Sequence, residues 1–400
     1  MPVRATKRGA DRTPLERDCD VLVCGASFAG LAVAAELAGT GARVLVLDRY
    51  EIGERQTSAC GIPTDWLRST GLIEAERQRF DSLLIHTAHG SRRYALPWSF
   101  STFDYRELCR LIWKDCDARF ETAKVNGRVP SAGSTASIAV ETDRGTLTAP
   151  LVVDALGWRR ILAFGGDGYQ PPGAPLSRGL EVHPGGSGRE MEIWIDRRYV
   201  PAGYGWSFPA DDELRIGIGS FDPRFHVRDT TELLAEDLGR DRVRYQGNWI
   251  PHKLRSATEG GVFFVGDSAG HCLPLTAEGI RTAFYFAIAL GRELRGVLAG
   301  TQSREEAAAR YAEFNDSHER KFRWMLRVQR LIPKVPPRLL GPIIRLMGWR
   351  RFVDWSFGHY LRIAAPEFAE RSAHDQQRPG DQQPDAEDAA RRERDLIEAK

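Results

Sequence analysis

Six cysteines among 400 residues, at positions 19, 24, 60, 109, 116 and 272, form no C-x-x-C pair and no metal-ligand spacing. A disulfide-stapled scaffold and a zinc module are thereby excluded, no bound metal is expected, and a reducing, cytoplasmic setting is implied. No uninterrupted apolar run reaches the roughly 18 residues that a membrane span needs. The N-terminus carries Arg4, Lys7, Arg8, Arg12 and Arg17 but no apolar stretch, so it reads as a disordered basic arm rather than a secretory leader. Neither sign of charge dominates. Lys and Arg number 56 and Asp and Glu 54, a formal balance of +2 that does not suggest a nucleic-acid partner. No internal repeat is found. The apolar fraction is 42%, enough for a sizeable core in two or three domains or one composite fold.

What is present begins with Val21-Leu22-Val23-Cys24, followed by Gly25-Ala26-Ser27-Phe28-Ala29-Gly30, an apolar stretch from Leu31 to Leu37, the stop Gly39-Thr40-Gly41, and Val44-Leu45-Val46-Leu47 ending on Asp48. Strand, tight turn, helix, strand and terminal acid within about 30 residues are the parts of a dinucleotide-binding βαβ unit. Gly25 allows the turn and Gly30 close helix–strand packing. The helix N-terminus offers N–H groups and a positive dipole end to a pyrophosphate, and Asp48 accepts from a ribose. Ser27 stands where the middle glycine of the fingerprint is expected. Ala26, Ala29 and Arg49 complete the expected contact set of this unit.

A second element lies far downstream. The strand Gly261-Val262-Phe263-Phe264-Val265 ends in Gly266-Asp267, and Pro274-Leu275-Thr276-Ala277-Glu278-Gly279-Ile280 enters a long helix. Here the chain resembles FAD-dependent enzymes of the p-hydroxybenzoate hydroxylase type. The resemblance implies that Asp267 binds the ribityl and ribose region of FAD. It also implies that the loop containing Pro274 and Glu278-Gly279-Ile280 sets backbone N–H groups against the flavin. Ala277 stands where that family usually has glycine.

The third element is Tyr204-Gly205-Trp206-Ser207-Phe208-Pro209, then seven residues, then Gly217-Ile218-Gly219. It resembles the YxWxFP…GxG signature of geranylgeranyl reductases, FAD enzymes that saturate isoprenoid double bonds. The resemblance implies that Tyr204, Trp206, Phe208 and Pro209 line a substrate cavity, with Tyr204 and Trp206 beside the reacting centre. On the residues alone the segment is a β-hairpin with Asp211-Asp212 in its turn. A halogenase-like Trp-x-Trp-x-Ile-Pro signature does not fit these positions.

The expected fold is α/β: a Rossmann-like FAD domain of the glutathione reductase/p-hydroxybenzoate hydroxylase type over 18–160 and 251–299, an inserted antiparallel substrate sheet over 161–250, and a helical C-terminal region over 300–368. Residues 1–17 and 369–400 are expected to be disordered. A helix is expected over Arg106–Asp117 and another over Arg304–Leu331.

For alkene reduction, reduced flavin gives a hydride and an acid gives a proton. Cys60, in Ser58-Ala59-Cys60-Gly61, is the candidate donor, because geranylgeranyl reductase relatives often carry Cys-Gly here; a small buried hydrophobe is the competing reading. His271 and Cys272 are the alternatives. A monooxygenase acting on an aromatic or polyketide-type substrate is the second function class, and a flavin-binding protein without turnover the third. The return strand ends Asp154-Ala155-Leu156-Gly157, where the hydroxylase family has Ala-Asp-Gly, and Phe100 stands where an arginine is expected; Arg106 and Arg159 are candidates to compensate. The electron donor is therefore read as either NAD(P)H or a reduced ferredoxin-type partner. Residues 320–351 hold ten basic side chains and no acid, interleaved with Trp324, Leu331, Leu339, Leu346 and Trp349. These are the ingredients of a peripheral membrane contact, as an apolar prenyl-lipid substrate would require.

Overall fold

The computed structural model describes residues 13–15, 18–56, 58–129, 137–164 and 174–370. The terminal arms expected over 1–17 and 369–400 lie almost wholly outside them.

A six-stranded sheet carries the first motif. Its order is Thr258–Glu259, Val262–Phe264, Leu151–Asp154, Val21–Cys24, Val44–Asp48 and Arg119–Thr122, all parallel except the first pair. The four inner strands are buried on both faces, as central parallel strands are. Val21, Val23, Val44, Val46, Leu151 and Val153 face helices Phe28–Glu36 and Ile280–Leu298. Leu22, Cys24, Leu45, Leu47 and Val152 face the small sheet Val125–Val129, Ile138–Thr142 and Gly145–Ala149. The period-2 alternation of a strand thus supplies two cores at once.

The second sheet has eight strands, in the order Gln246–Pro251, Leu176–Val182, Glu213–Ser220, Gly203–Ala210, Met191–Ile195, Glu76–Thr87, Gly90–Phe103 and Gly61–Pro63. Three of its strands come from outside residues 161–250. The join is the parallel pair Met191–Ile195 with Leu83–Thr87; every other pairing is antiparallel. The Gly203–Ala210/Glu213–Ser220 hairpin forms as read, with Asp211 at φ +60° in the turn. Arg77 pairs with both turn acids, Asp211 and Asp212.

Within 161–250 the structure adds a helix, Arg228–Asp237, whose Thr231, Leu234 and Ala235 bury at helical spacing against Ile216 and Ile218. The helix expected over Arg106–Asp117 runs from Tyr105 to Lys114, capped by Asp104. The helix expected over Arg304–Leu331 is two helices, Arg304–Ser317 and Glu319–Leu331. They part at His318, whose ring packs among Tyr285, Phe286 and Phe314. Helices Pro337–Met347 and Arg350–Leu361 come next along the chain. Among the described residues no helix is long and apolar enough to cross a membrane.

Candidate active site

The turn after the first strand admits no side chain at its two glycines. Gly25 has φ +113°, and a Cβ there would lie 2.3 Å from the Ala155 carbonyl oxygen. A Cβ on Gly30 would lie 1.8 Å from the Gly25 carbonyl oxygen. The helix starting after Ser27 has no side-chain cap and no acid in its first turn. Its N-terminal N–H groups are therefore presented to an anion such as a pyrophosphate. Asp48 stands beside the turn, its Oδ2 accepting from the Ala26 N–H at 2.9 Å and its Oδ1 from the Tyr50 N–H at 3.0 Å. Burial raises its pKa, against those two bonds. The remaining lone pairs suit a ribose hydroxyl. The Ser27 hydroxyl accepts from Tyr105 at 3.2 Å. Arg49 is exposed at the rim, 5.0 Å over the Tyr50 ring.

The second motif meets the first. A Cβ on Gly266 would lie 3.0 Å from the Cβ of Ala29. The Asp267 carboxylate receives no hydrogen bond from the described residues, and burial pushes its pKa up to about 6 against the pull of Arg255. It lies inside the turn Gly266–Ala269, whose cap position is Val265. A part-buried acid without a donor, beside an uncapped helix end, fits the hydroxyls of a nucleotide cofactor. The next loop closes on itself, Leu273 N–H donating to the Glu278 carbonyl at 3.0 Å. Leu275 and Ala277 both hold positive φ, +73° and +52°. Position 279 comes within 3.8 Å of Asp267 Oδ1 and 3.3 Å of Cys272 Sγ, counted from a Cβ built on the glycine.

The two side chains that rival Cys60 as donor serve the scaffold. His271 Nδ1 accepts from the Gly266 N–H at 3.1 Å, its Nε2 meets Asn315 Oδ1 at 3.0 Å, and its ring stacks on Phe286. Burial lowers its pKa to about 3, so the ring is neutral with both nitrogens engaged. Cys272 is buried beneath Gly279, and burial raises its pKa well above the usual thiol value. The Glu278 carboxylate is also engaged. It accepts from Arg281 Nε at 2.6 Å and from the Tyr360 hydroxyl, while Arg281 donates to the Tyr360, Leu361 and Ala364 carbonyls. This network ties the C-terminal helices to the loop expected to hold the flavin.

The substrate sheet reaches the same loop. Tyr204 donates to the Thr276 carbonyl at 2.6 Å. Trp206 pairs with Gly217 across the hairpin, and a Cβ on Gly217 would lie 2.3 Å from the indole. The glycines of Gly217-Ile218-Gly219 therefore leave room for a tryptophan lying flat on the neighbouring strand. Trp206 Nε1 donates to Glu181 Oε2 at 3.2 Å. Phe208 departs from this pair and packs with Phe80, Leu83, Leu96 and Met191. Pro209 turns to the other face, where its carbonyl accepts from Thr102 at 2.7 Å.

Cys60 is fully buried with φ +53°, and its thiol meets the Ser58 carbonyl at 3.2 Å. Burial pushes its pKa up to about 12, opposed by Arg215, so the sulfur keeps its proton at neutral pH. Sequence reasoning missed what holds it. Arg215, buried and paired with Glu213 Oε1 at 3.2 Å, donates to the carbonyls of Ala59 at 2.9 Å, Cys60 at 3.3 Å and Phe103 at 3.0 Å. Gln246 bridges the Ser58 carbonyl and Glu181. The signal was available: Arg215 shares the face of Gly217 and Gly219 by strand alternation. Asp154 has a role that its own motif does not announce. Its carboxylate accepts from Ser268, Leu156 N–H and Leu162 N–H, locking the return strand to the second motif. Of the two arginines considered as compensation, Arg106 backs Gly53, and Arg159 lies over the Trp158 ring.

No family model matches the chain. It is 24% identical over 331 residues to digeranylgeranylglycerophospholipid reductase 3 of Methanosphaera stadtmanae, covering 76% of this chain and 83% of that protein. A geranylgeranyl diphosphate reductase of Rhodobacter capsulatus is 35% identical over 106 residues, 25% of this chain and 26% of that one. Over most of its length the chain is thus similar to digeranylgeranylglycerophospholipid reductases. Its fold agrees. A geranylgeranyl bacteriochlorophyll reductase-like protein of Thermoplasma acidophilum superposes with TM-score 0.75 at 15% identity, over 89% of this chain and 98% of that one. The p-nitrophenol 4-monooxygenase of Pseudomonas putida does so with TM-score 0.69 at 15% identity, over 88% and 99%. The chain thus has the p-hydroxybenzoate hydroxylase-type fold of FAD-dependent oxidoreductases.

Proposed function

We propose that this protein is an FAD-dependent reductase of carbon–carbon double bonds in an isoprenoid or lipid substrate. The carrying observation is the Tyr204–Thr276 bond: the face bearing Tyr204 and Trp206 is fastened to the loop expected to hold the flavin. The names of the relatives supply the substrate class. FAD, when bound and reduced, supplies a hydride. The chain's part is to hold the cofactor, exclude water and keep a proton at hand. Gly25, Gly30 and the uncapped helix end take the pyrophosphate, with Asp48 and Asp267 on cofactor hydroxyls. Tyr204 and Trp206 wall off the substrate. The Cys60 thiol, protonated at neutral pH and set by Arg215 and Ser58, is the proton donor in this reading. Cys60→Ser keeps FAD and slows single-turnover reoxidation of reduced flavin by about 10²-fold or more; an unchanged rate removes Cys60 from the chemistry.

The shared fold with p-nitrophenol 4-monooxygenase supports a second reading, hydroxylation of an aromatic substrate. Product mass separates them: two added hydrogens under anaerobic conditions for the reductase, one added oxygen for the hydroxylase. NADPH and reduced ferredoxin as alternative reductants in the same assay identify the electron donor. The 320–351 segment supports docking of the enzyme on an anionic membrane. Leu346 and Trp349 are 77% and 63% exposed amid its arginines, and each cation near such a surface adds about 1 kcal/mol. Salt-sensitive pelleting with phosphatidylglycerol vesicles, lost in Leu346→Glu/Trp349→Glu, is the expected result; equal recovery in the supernatant with and without vesicles rejects it.

A further inference from the structure

We propose that Glu181 is a positioning residue of the reductase site, holding the Trp206 indole and the Cys60 thiol in one piece; this rests on the reductase reading above. The sheet register sets the arrangement. Trp206 pairs with Gly217, Gly217 with Glu181, and Glu181 with Gln246, so the four stand in one row across four strands. A side chain at 217 would block the indole from crossing its neighbouring strand. The ring also runs above Gly219 and Gly179, where built Cβ atoms would lie 3.4 and 3.9 Å from it. Its Nε1 thereby reaches a carboxylate two strands away, donating to Glu181 Oε2 at 3.2 Å. At the other end of the row, Gln246 Nε2 donates to Glu181 Oε1 at 3.0 Å and to the Ser58 carbonyl at 3.1 Å. That carbonyl is the one the Cys60 thiol meets at 3.2 Å. The substrate wall and the proton donor of the proposed reaction are therefore joined through one carboxylate.

The use of an acid here has a physical reason. Glu181 is 3% exposed and has no Lys or Arg partner among the described residues. Burying a carboxylate is costly unless its oxygens are hydrogen-bonded. Its oxygens face three donors: Trp206, Gln246, and His183, whose Nε2 lies 2.9 Å from Oε1. A glutamine has one acceptor oxygen and cannot serve both ends of this set, so the three donors call for a carboxylate. His183 also faces a second acid. Its Nδ1 is 3.6 Å from Glu213 Oε1, and Glu213 is itself compensated by Arg215 at 3.2 Å and Arg244 at 2.9 Å. Arg215 returns to the Ala59 and Cys60 carbonyls, so the network leaves the Cys60 segment by one arm and comes back by another. Within it, Glu181 is the member that touches the tryptophan. Its charge also reaches the thiol. Burial does most to raise the Cys60 pKa, Arg215 opposes it, and Glu181 adds to the rise.

The test uses full-length, FAD-loaded protein. Glu181→Gln keeps one oxygen for His183 and Gln246 and turns an amide N–H toward the indole N–H. Among the ten tryptophan indole resonances, the one that Trp206→Phe deletes moves upfield in Glu181→Gln, and its proton exchanges about ten- to a hundredfold faster, the loss of one charge-assisted bond. FAD affinity is unchanged. The kcat for anaerobic reoxidation of reduced flavin by geranylgeranyl diphosphate falls about ten- to a hundredfold with KM little changed, because the wall and donor are misplaced while the binding surface remains. Glu181→Gln/Trp206→Phe is no slower than Trp206→Phe alone. Gln246→Met cuts the Cys60 arm only, so it slows turnover and leaves the indole resonance in place. Glu192→Gln, a part-buried acid on strand Met191–Ile195 paired with His86, changes none of these. An unmoved Trp206 resonance in Glu181→Gln overturns the assignment. A double variant slower than Trp206→Phe by the full Glu181→Gln factor overturns it too, by making the residues independent, and an equal loss of FAD and kcat does so by making Glu181 structural. Trp206→Phe removes the donor and leaves the carboxylate in place; full turnover in that variant overturns the proposal even if Glu181→Gln fails to fold. If geranylgeranyl diphosphate leaves wild-type reduced flavin unoxidised while the Trp206 resonance still follows Glu181, the reductase reading falls and the tie between Glu181 and Trp206 stands.

Discussion

In the turn at 25–30 two glycines remove side chains so that backbone meets backbone; in the hairpin at 203–220 two glycines remove side chains so that a tryptophan lies flat. The neighbours differ in how they can yield when crowded. Gly30 faces the Gly25 carbonyl, which follows directly on the strand Val21–Cys24, paired on both sides. Gly217 faces first the Trp206 ring, which can swing by rotating its side chain, and only then a backbone atom, the Leu180 carbonyl oxygen, 2.7 Å from where a Cβ would lie. The turn is therefore rigid and generic, a seat for any dinucleotide. The hairpin has a backbone-on-backbone contact too, a Cβ on Gly203 lying 1.9 Å from the Gly219 carbonyl oxygen, but at Trp206 it can yield through a side chain. In the proposed function, cofactor binding and substrate handling are carried by separate pieces of the fold that meet at Thr276.

This division predicts different failures. Gly30→Ala places a Cβ 1.8 Å from a carbonyl oxygen. The helix must move off the strand, at a cost above about 4 kcal/mol, in the range of exceptional mutations. The expected product is colourless, poorly folded protein. A variant that purifies fully yellow with an unchanged melt refutes the account of the turn. Arg215→Met acts on the hairpin. Three carbonyls lose their donor, at about 3 kcal/mol, while Glu213 keeps Arg244 at 2.9 Å. The protein stays yellow and loses turnover, because Cys60 is no longer set. Loss of FAD in proportion to activity contradicts the separation.

Asp267 lies beside the turn, next to Gly266 and facing Gly279, and its effect depends on pH. In the cofactor-free protein its pKa is raised from 3.8 to about 6 by burial. The folded state then holds the proton more tightly than the unfolded state. This group's contribution to stability is greatest below about pH 4 and falls as pH rises through 6, a penalty of about 3 kcal/mol at neutrality. Asp267→Asn removes it. Cofactor-free Asn variant melts higher than wild type at pH 7.5 and equally at pH 4, yet binds FAD about ten- to a hundredfold more weakly. A variant less stable than wild type at pH 7.5 shows that the carboxylate is held by the fold itself and not kept for a ligand.

The same contrast explains what was legible in the sequence. Gly25, Gly30, Asp48 and Asp267 stand out because backbone geometry imposes them within short, contiguous segments. The substrate sheet is different. Its edge half, Gly61–Phe103, is joined to the other strands by the ladder pairing of Leu83–Thr87 with Met191–Ile195, a contact between segments a hundred residues apart that no local periodicity announces. Helix Arg228–Asp237 was hidden among strands because only Thr231, Leu234 and Ala235 mark its buried face. Arg215 was hidden because a buried arginine looks like a surface one until its carbonyl partners, Ala59, Cys60 and Phe103, are folded against it. The reductase signature itself was readable, yet its physical content, a flat Trp206 over Gly217, needed the strand register.

The smallest effect is expected at the one departure inside the flavin loop. Ala277 sits at φ +52°, a left-handed conformation that costs an alanine about 1–2 kcal/mol. Ala277→Gly relieves that strain but gives the unfolded chain more freedom to lose, about 0.4–1 kcal/mol. The difference is a stabilisation of about 0.5 kcal/mol, a rise of about 1 °C or less in a chain of this size. FAD affinity holds or tightens, since the loop closure from Leu273 to Glu278 uses backbone alone. A lower melting temperature at matched FAD saturation shows that the methyl group supports the loop by packing, and that the positive φ at 277 is held without strain.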